Sequence, residues 1–111
     1  MNLFTWLFIG HLVGDFLLQT NWMAARKSTN CFALFVHVAV YTLSVVAFAL
    51  PAGGISFKAA AVIFLTHFIL DKRNLVHYWV RAVNGAEGVE WLKIVSDQCW
   101  HLLVLALVTL I

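Results

Sequence analysis

The chain has 111 residues, 63% hydrophobic and only 11% charged, with a net charge of +2. A soluble domain of this size would be about a quarter charged, so the composition argues against a water-soluble enzyme and for an integral membrane protein. The positive charge is too small and too dispersed for a nucleic-acid partner. The length allows one compact domain, residues 1–111. Two cysteines, Cys31 and Cys99, do not make a disulfide framework and read as small apolar residues. The N-terminus lacks a basic n-region and a small-residue cleavage site, so no signal peptide is expected.

The pattern predicts an all-α fold, a transmembrane four-helix bundle. A crossing needs roughly 20 mostly apolar residues. The first helix is expected over about residues 3–22, and a polar loop with Arg26 and Lys27 follows. The second, about 31–50, is stopped by Pro51-Ala52-Gly53-Gly54, a strong turn signal. The third, about 56–83, is apolar to Leu70 and continues as an amphipathic helix past Lys72, Arg73 and Trp79. Asn84-Gly85-Ala86-Glu87-Gly88 makes the next turn, and the fourth helix is expected over about 89–111. Six of the seven basic residues fall at the first and third loops, and only Lys58 at the second. Basic residues collect in cytoplasmic loops, so both termini are expected on the non-cytoplasmic side of a membrane that the chain crosses several times.

Every helix carries a polar stripe. His11, Asp15 and Gln19 are spaced four apart, as are His37 and Tyr41, His67 and Asp71, and Asp97 and His101. That spacing puts each set on one helix face. A histidine and a carboxylate inside a span are costly and are read as functional by default. The order is His then Asp on helices one and three and Asp then His on helix four. Because neighbouring helices run in opposite directions, a layer of His11, His67 and His101 is expected above a layer of Asp15, Asp71 and Asp97, with His37 near the lower layer. Three carboxylates in a dry bundle need a counter-charge. Only Lys72 and Arg73 offer one nearby, beside Asp71. A divalent metal, most simply zinc, suits a mixed imidazole and carboxylate set. The candidate ligands are His11, Asp15, His37, His67, Asp71, Asp97 and His101, for one ion or two. Asp71 reads equally well as an interfacial charge. Gln19 is expected to hydrogen-bond within the bundle, and His77 lies off the His67 stripe. Gly10 and Gly14 make a small-xxx-small pair that lets a neighbouring helix approach closely.

The set His11-x-x-Gly14-Asp15-Phe16-x-Leu18-Gln19, Trp22-Met23-Ala24, Lys27, His37 with Tyr41, His67-Phe68-x-x-Asp71 and Asp97-Gln98-x-x-His101 resembles the domain-of-unknown-function family 3307. These are small bacterial and phage membrane proteins, so the resemblance implies a multi-pass protein of a bacterial inner membrane. The resemblance covers nearly the whole chain and brings no established activity. It implies that these positions act as a set. A looser likeness, of site type alone, is to membrane-embedded metal-dependent hydrolases.

The expected function is hydrolysis of a lipid or other amphipathic substrate by a metal-activated water in the cytoplasmic half of the bilayer. One of Asp15, Asp71 or Asp97 would accept the water's proton. Metal-ion or proton transport is the alternative, and it would require a homo-oligomer. A structural or interaction protein whose polar site only stabilises the bundle is the third reading.

Overall fold

In the computed structural model, which describes Met1–Ile111, the side chain of Asn2 accepts from the Thr5 N–H and starts α1 (Leu3–Leu12). The helix then widens into a π-helical turn over Val13–Leu17, closed by the Leu18 N–H donating to the Val13 carbonyl at 2.9 Å. Thr20 caps a separate short helix, α2 (Asn21–Arg26), by accepting from the Met23 N–H. The continuous helix expected over residues 3–22 is therefore two elements. The threonine hydroxyl offers the backbone a capping bond that competes with continuation of the first helix.

Asn30 caps α3 (Cys31–Ala49) by accepting from the Phe32 and Ala33 N–H groups. A 3-10 turn, Leu50–Ala52, ends it, and Gly53 and Gly54 supply the positive φ angles of 100° and 79° that reverse the chain. Ser56 caps α4 (Phe57–Leu70). The helix expected to run on to residue 83 stops here as well. Arg73 takes a left-handed φ of 65°, and α5 (Asn74–Ala82) starts behind it in a new direction. Val76 and Val80, four apart, form the buried stripe of α5. The last element is α6 (Glu90–Val108).

The fold is thus all-α, with six α-helices and no strand. α1 packs on α3, α3 on α4, α4 on α6, and α6 back on α1. Two helices are long and apolar enough to cross a membrane, α3 with its 3-10 extension (Cys31–Ala52) and α6. Leu3–Leu17 and Phe57–Leu70 are shorter apolar helices, about 22 Å and 21 Å long by helical rise. Each falls short of a hydrocarbon core of about 30 Å.

Gly10 and Gly14 set the tightest helix contact. A Cβ on Gly10 would stand 2.9 Å from Val45 Cα, and one on Gly14 would stand 3.0 Å from Tyr41 Cα. The Ser44 hydroxyl donates to the Gly10 carbonyl at 2.9 Å across the same seam. The close approach expected of the glycine pair is realised against the backbone of α3. Burial runs against the usual order. His11, Asp15, His37, Ser44, His67, Asp71, Asp97 and His101 are buried, while Phe57 is 90% and Leu17 78% exposed. An apolar cluster built on Leu7, Val45, Ala49, Ile63 and Leu105 fills the interior beside these polar groups, with Tyr41 as a member.

Candidate metal centre

Asp15 enters the interior from the π-helical turn, where the altered helix repeat re-aims a side chain. His37 comes from α3, His67 from the last turn of α4, and Asp71 from the residue that caps α4. The Nε2 atom of His37 lies 3.0 Å from Asp15 Oδ1, 2.9 Å from Asp71 Oδ2 and 3.0 Å from His67 Nε2. The Nε2 atom of His67 lies 3.1 Å from Asp71 Oδ2 and 3.5 Å from Asp15 Oδ1. All four residues are at most 3% exposed. These four ligand atoms form one group able to hold a metal ion.

The donor chemistry fits such an ion. A neutral imidazole has one donor and one acceptor nitrogen. Here two Nε2 atoms face each other and also face two carboxylate oxygens, so protons on carbon-bound nitrogens cannot satisfy every contact at once. A cation shared by all four atoms does. Four ligands about 2.0–2.1 Å from a tetrahedral ion stand about 3.3 Å apart, close to the observed separations. The stack of His67 on Tyr41, ring centroids 3.7 Å apart and 19° from parallel, holds that imidazole's plane.

A second group adjoins the first through Asp71. It consists of Asp71, Asp97 and His101, again with ligand atoms within reach of one ion. The His101 Nδ1–H donates to the Asp97 backbone carbonyl at 2.7 Å, so in the neutral ring Nε2 carries the lone pair, 3.3 Å from Asp71 Oδ1. Asp71, expected either in the site or at the interface, is 1% exposed and common to both groups.

His11 stands beside these groups and outside both. Its Nδ1 is 2.8 Å from the Tyr41 hydroxyl and its Nε2 is 2.7 Å from Gln98 Oε1. The amide oxygen can only accept, so Nε2–H donates to Gln98 and the Tyr41 O–H donates to Nδ1. The Gln98 amide in turn donates to Asp97 Oδ2 at 3.4 Å. Both nitrogens of His11 are engaged in this chain, and Asp15 Oδ2 is 3.9 Å from Nδ1. Gln19 is not part of either group, and its Oε1 is buried without a partner.

Two expectations need correction in detail. Layers of histidine and aspartate a full turn apart do not form. Side chains four apart lean onto one another, and Asp71, at the end of α4, turns back to meet His67, His37 and His101 at one level. The cation beside Asp71 is neither Lys72 nor Arg73. Lys27 Nζ lies 3.1 Å from Asp71 Oδ2, on a side chain only 12% exposed. Thr20 caps α2, and Lys27 stands at the C-terminal end of that short helix.

A family model described as protein of unknown function (DUF3307) matches residues 3–111. The chain belongs to this family. No curated protein matches the chain, and no solved structure does. In this member of the family, every His and Asp of the resembling motifs except His11 supplies an atom to one of the two groups.

Proposed function

We propose that this chain is a four-helix integral membrane protein of a bacterial inner membrane, with both termini on the non-cytoplasmic side, that hydrolyses a lipid or other amphipathic substrate with a bound zinc ion. The membrane reading is supported by the two span-length helices and by the apolar side chains that face outward while the polar ones face in. Lys27 and Lys72 share one pocket at the site's end of the molecule, as expected for a cytoplasmic face rich in basic residues.

The convergence of Asp15, His37, His67 and Asp71 on one buried point carries the proposal. A bound divalent ion would supply an acidified water as nucleophile at neutral pH and charge to stabilise a developing oxyanion. Asp15 presents Oδ1 to the ligand group and leaves Oδ2 free of it, 3.9 Å from His11. That free oxygen would be placed to take a proton from such a water, and the Tyr41–His11–Gln98 chain holds His11 beside it. A void of about 10 Å³ is lined by Tyr41, Thr66, His67, His101 and apolar side chains and does not touch Asp15. A pocket of about 120 Å³ lined by Lys27, Ser28, Lys72 and Asn74 opens beside Lys27 and would seat an anionic head group.

Transport has less support. The apolar cluster from Tyr41 to Val45, Ala49 and Leu105 closes the interior beyond the polar groups. The test is elemental analysis of protein purified without chelators, followed by lipid turnover for the wild type and His37→Ala. Bound zinc with turnover lost in a folded His37→Ala variant is the expected result. Protein free of any transition metal, or turnover that survives the substitution, would refute the hydrolase.

A further inference from the structure

We infer that the centre holds two metal ions, the second bound by Asp97 and His101 and bridged to the first by the Asp71 carboxylate. This rests on the metal-centre reading above and goes beyond its single ion. The two oxygens of Asp71 face different partners. Oδ2 meets His37 and His67 at 2.9 and 3.1 Å, whereas Oδ1 faces His101 Nε2 at 3.3 Å. One carboxylate thus offers one oxygen to each group, the arrangement of a bridging ligand.

The second group is prepared as a ligand set independently of the first. The His101 Nδ1–H is committed to the Asp97 carbonyl. Such an outer hydrogen bond fixes the tautomer and aims the other ring nitrogen at a metal. The atom left over, His101 Nε2, is buried without a hydrogen-bond partner, and so is Asp97 Oδ1. Both residues are 2% exposed. Asp97 Oδ2 is occupied by Gln98, so its oxygens are divided between an orienting amide and the open group. A neutral imidazole's lone pair and two carboxylate oxygens gathered within one ion's reach, buried and without hydrogen-bond partners, are costly unless a cation joins them.

Charge points the same way. With the histidines neutral, as ligands must be, Asp15, Asp71 and Asp97 against Lys27 leave the interior anionic, and one divalent ion only neutralises it. A second makes the centre cationic, ready for an anionic group from the Lys27–Lys72 pocket. Paired ions bridged by a carboxylate act as a clamp on the attacking and leaving oxygens of a displacement at phosphorus, which directs the substrate class towards phosphoesters.

The experiment loads full-length protein in detergent with excess Mn²⁺, removes free ion, and measures both stoichiometry and the electron paramagnetic resonance spectrum. Two ions per chain with a spin-coupled spectrum are expected in the wild type. His101→Ala and Asp97→Asn should each retain one ion and give an uncoupled spectrum. One ion per wild-type chain would overturn the second site and leave the first standing. No ion would overturn both. Two ions retained by a folded His101→Ala, Asp97→Asn double variant would place the second ion elsewhere and refute the assignment. The wild-type coupling needs no variant, so misfolding of either substitution leaves the test intact.

Discussion

Alanine at Gly10 or Gly14 is the perturbation with the most direct geometric consequence. The added methyl would lie 2.9 Å from Val45 Cα at position 10 and 3.0 Å from Tyr41 Cα at position 14. Carbon atoms pack best about 3.5–4.0 Å apart, so the backbones of α1 and α3 must separate by about 0.5–1 Å to restore an ordinary contact. Neither neighbour is the flexible end of a side chain that could turn away. Overpacking of this kind costs about 1–3 kcal/mol. The same displacement acts on the seam that carries Asp15 against His37, where the contact is 3.0 Å. A ligand must hold its place to within about 0.5 Å, so metal affinity should fall about 10-fold or more. Thermal unfolding in detergent and metal titration measure the two effects on the same samples. If Gly10→Ala and Gly14→Ala both keep the wild-type midpoint and affinity, the close α1–α3 contact does not position the site.

Lys27→Met removes the ammonium from a carboxylate that is otherwise buried at 1% exposure; breaking such a pair costs about 3–5 kcal/mol. Chemical denaturation should show most of this loss in chelator-treated protein and less in metal-loaded protein, because the ion also neutralises Asp71. Tyr41→Phe leaves His11 Nδ1 without its donor; a stability loss of about 1–3 kcal/mol is expected, with metal stoichiometry unchanged because His11 lies outside both groups. A fall in stoichiometry would instead make His11 a ligand. Histidines bind metal only when neutral, so occupancy should be highest near neutral pH and fall as acidification protonates the imidazoles. An affinity that does not change with pH between neutral and acidic solution, measured by equilibrium dialysis, would argue against imidazole ligands.

The ligand candidates were legible because spacing by four survives helix formation unchanged. His67 and Asp71, and Asp97 and His101, meet their partners as that spacing implies. What the spacing could not convey was the helix breaks. Thr20 starts a new helix through a single side-chain bond, and Arg73 interrupts the helix with a left-handed backbone, neither of which alters the apolar pattern. The partners of Lys27 and Gln98, as opposed to their membership of the set, were not legible for a different reason. Each meets a residue far along the chain, Asp71 and His11, and a lysine in a polar loop or a glutamine beside an aspartate has no periodic mark. The exclusion of His11 from both groups follows from hydrogen bonds to Tyr41 and Gln98 that depth alone does not reveal.

The π-helical turn at Val13–Leu17 also has a consequence for chain length. Such a turn is an α-helix carrying one surplus residue, so it stores a rotation as well as a bend. Deleting one residue there would let a plain α-helix close, and everything before it would swivel about 100° relative to everything after it. Gly10 would then leave the face of α3 while Asp15 kept its aim, or the reverse. The stretch between Gly10 and Asp15 therefore works as a fixed-length gauge, tolerant of changed side chains on its outer surface and intolerant of a changed residue count.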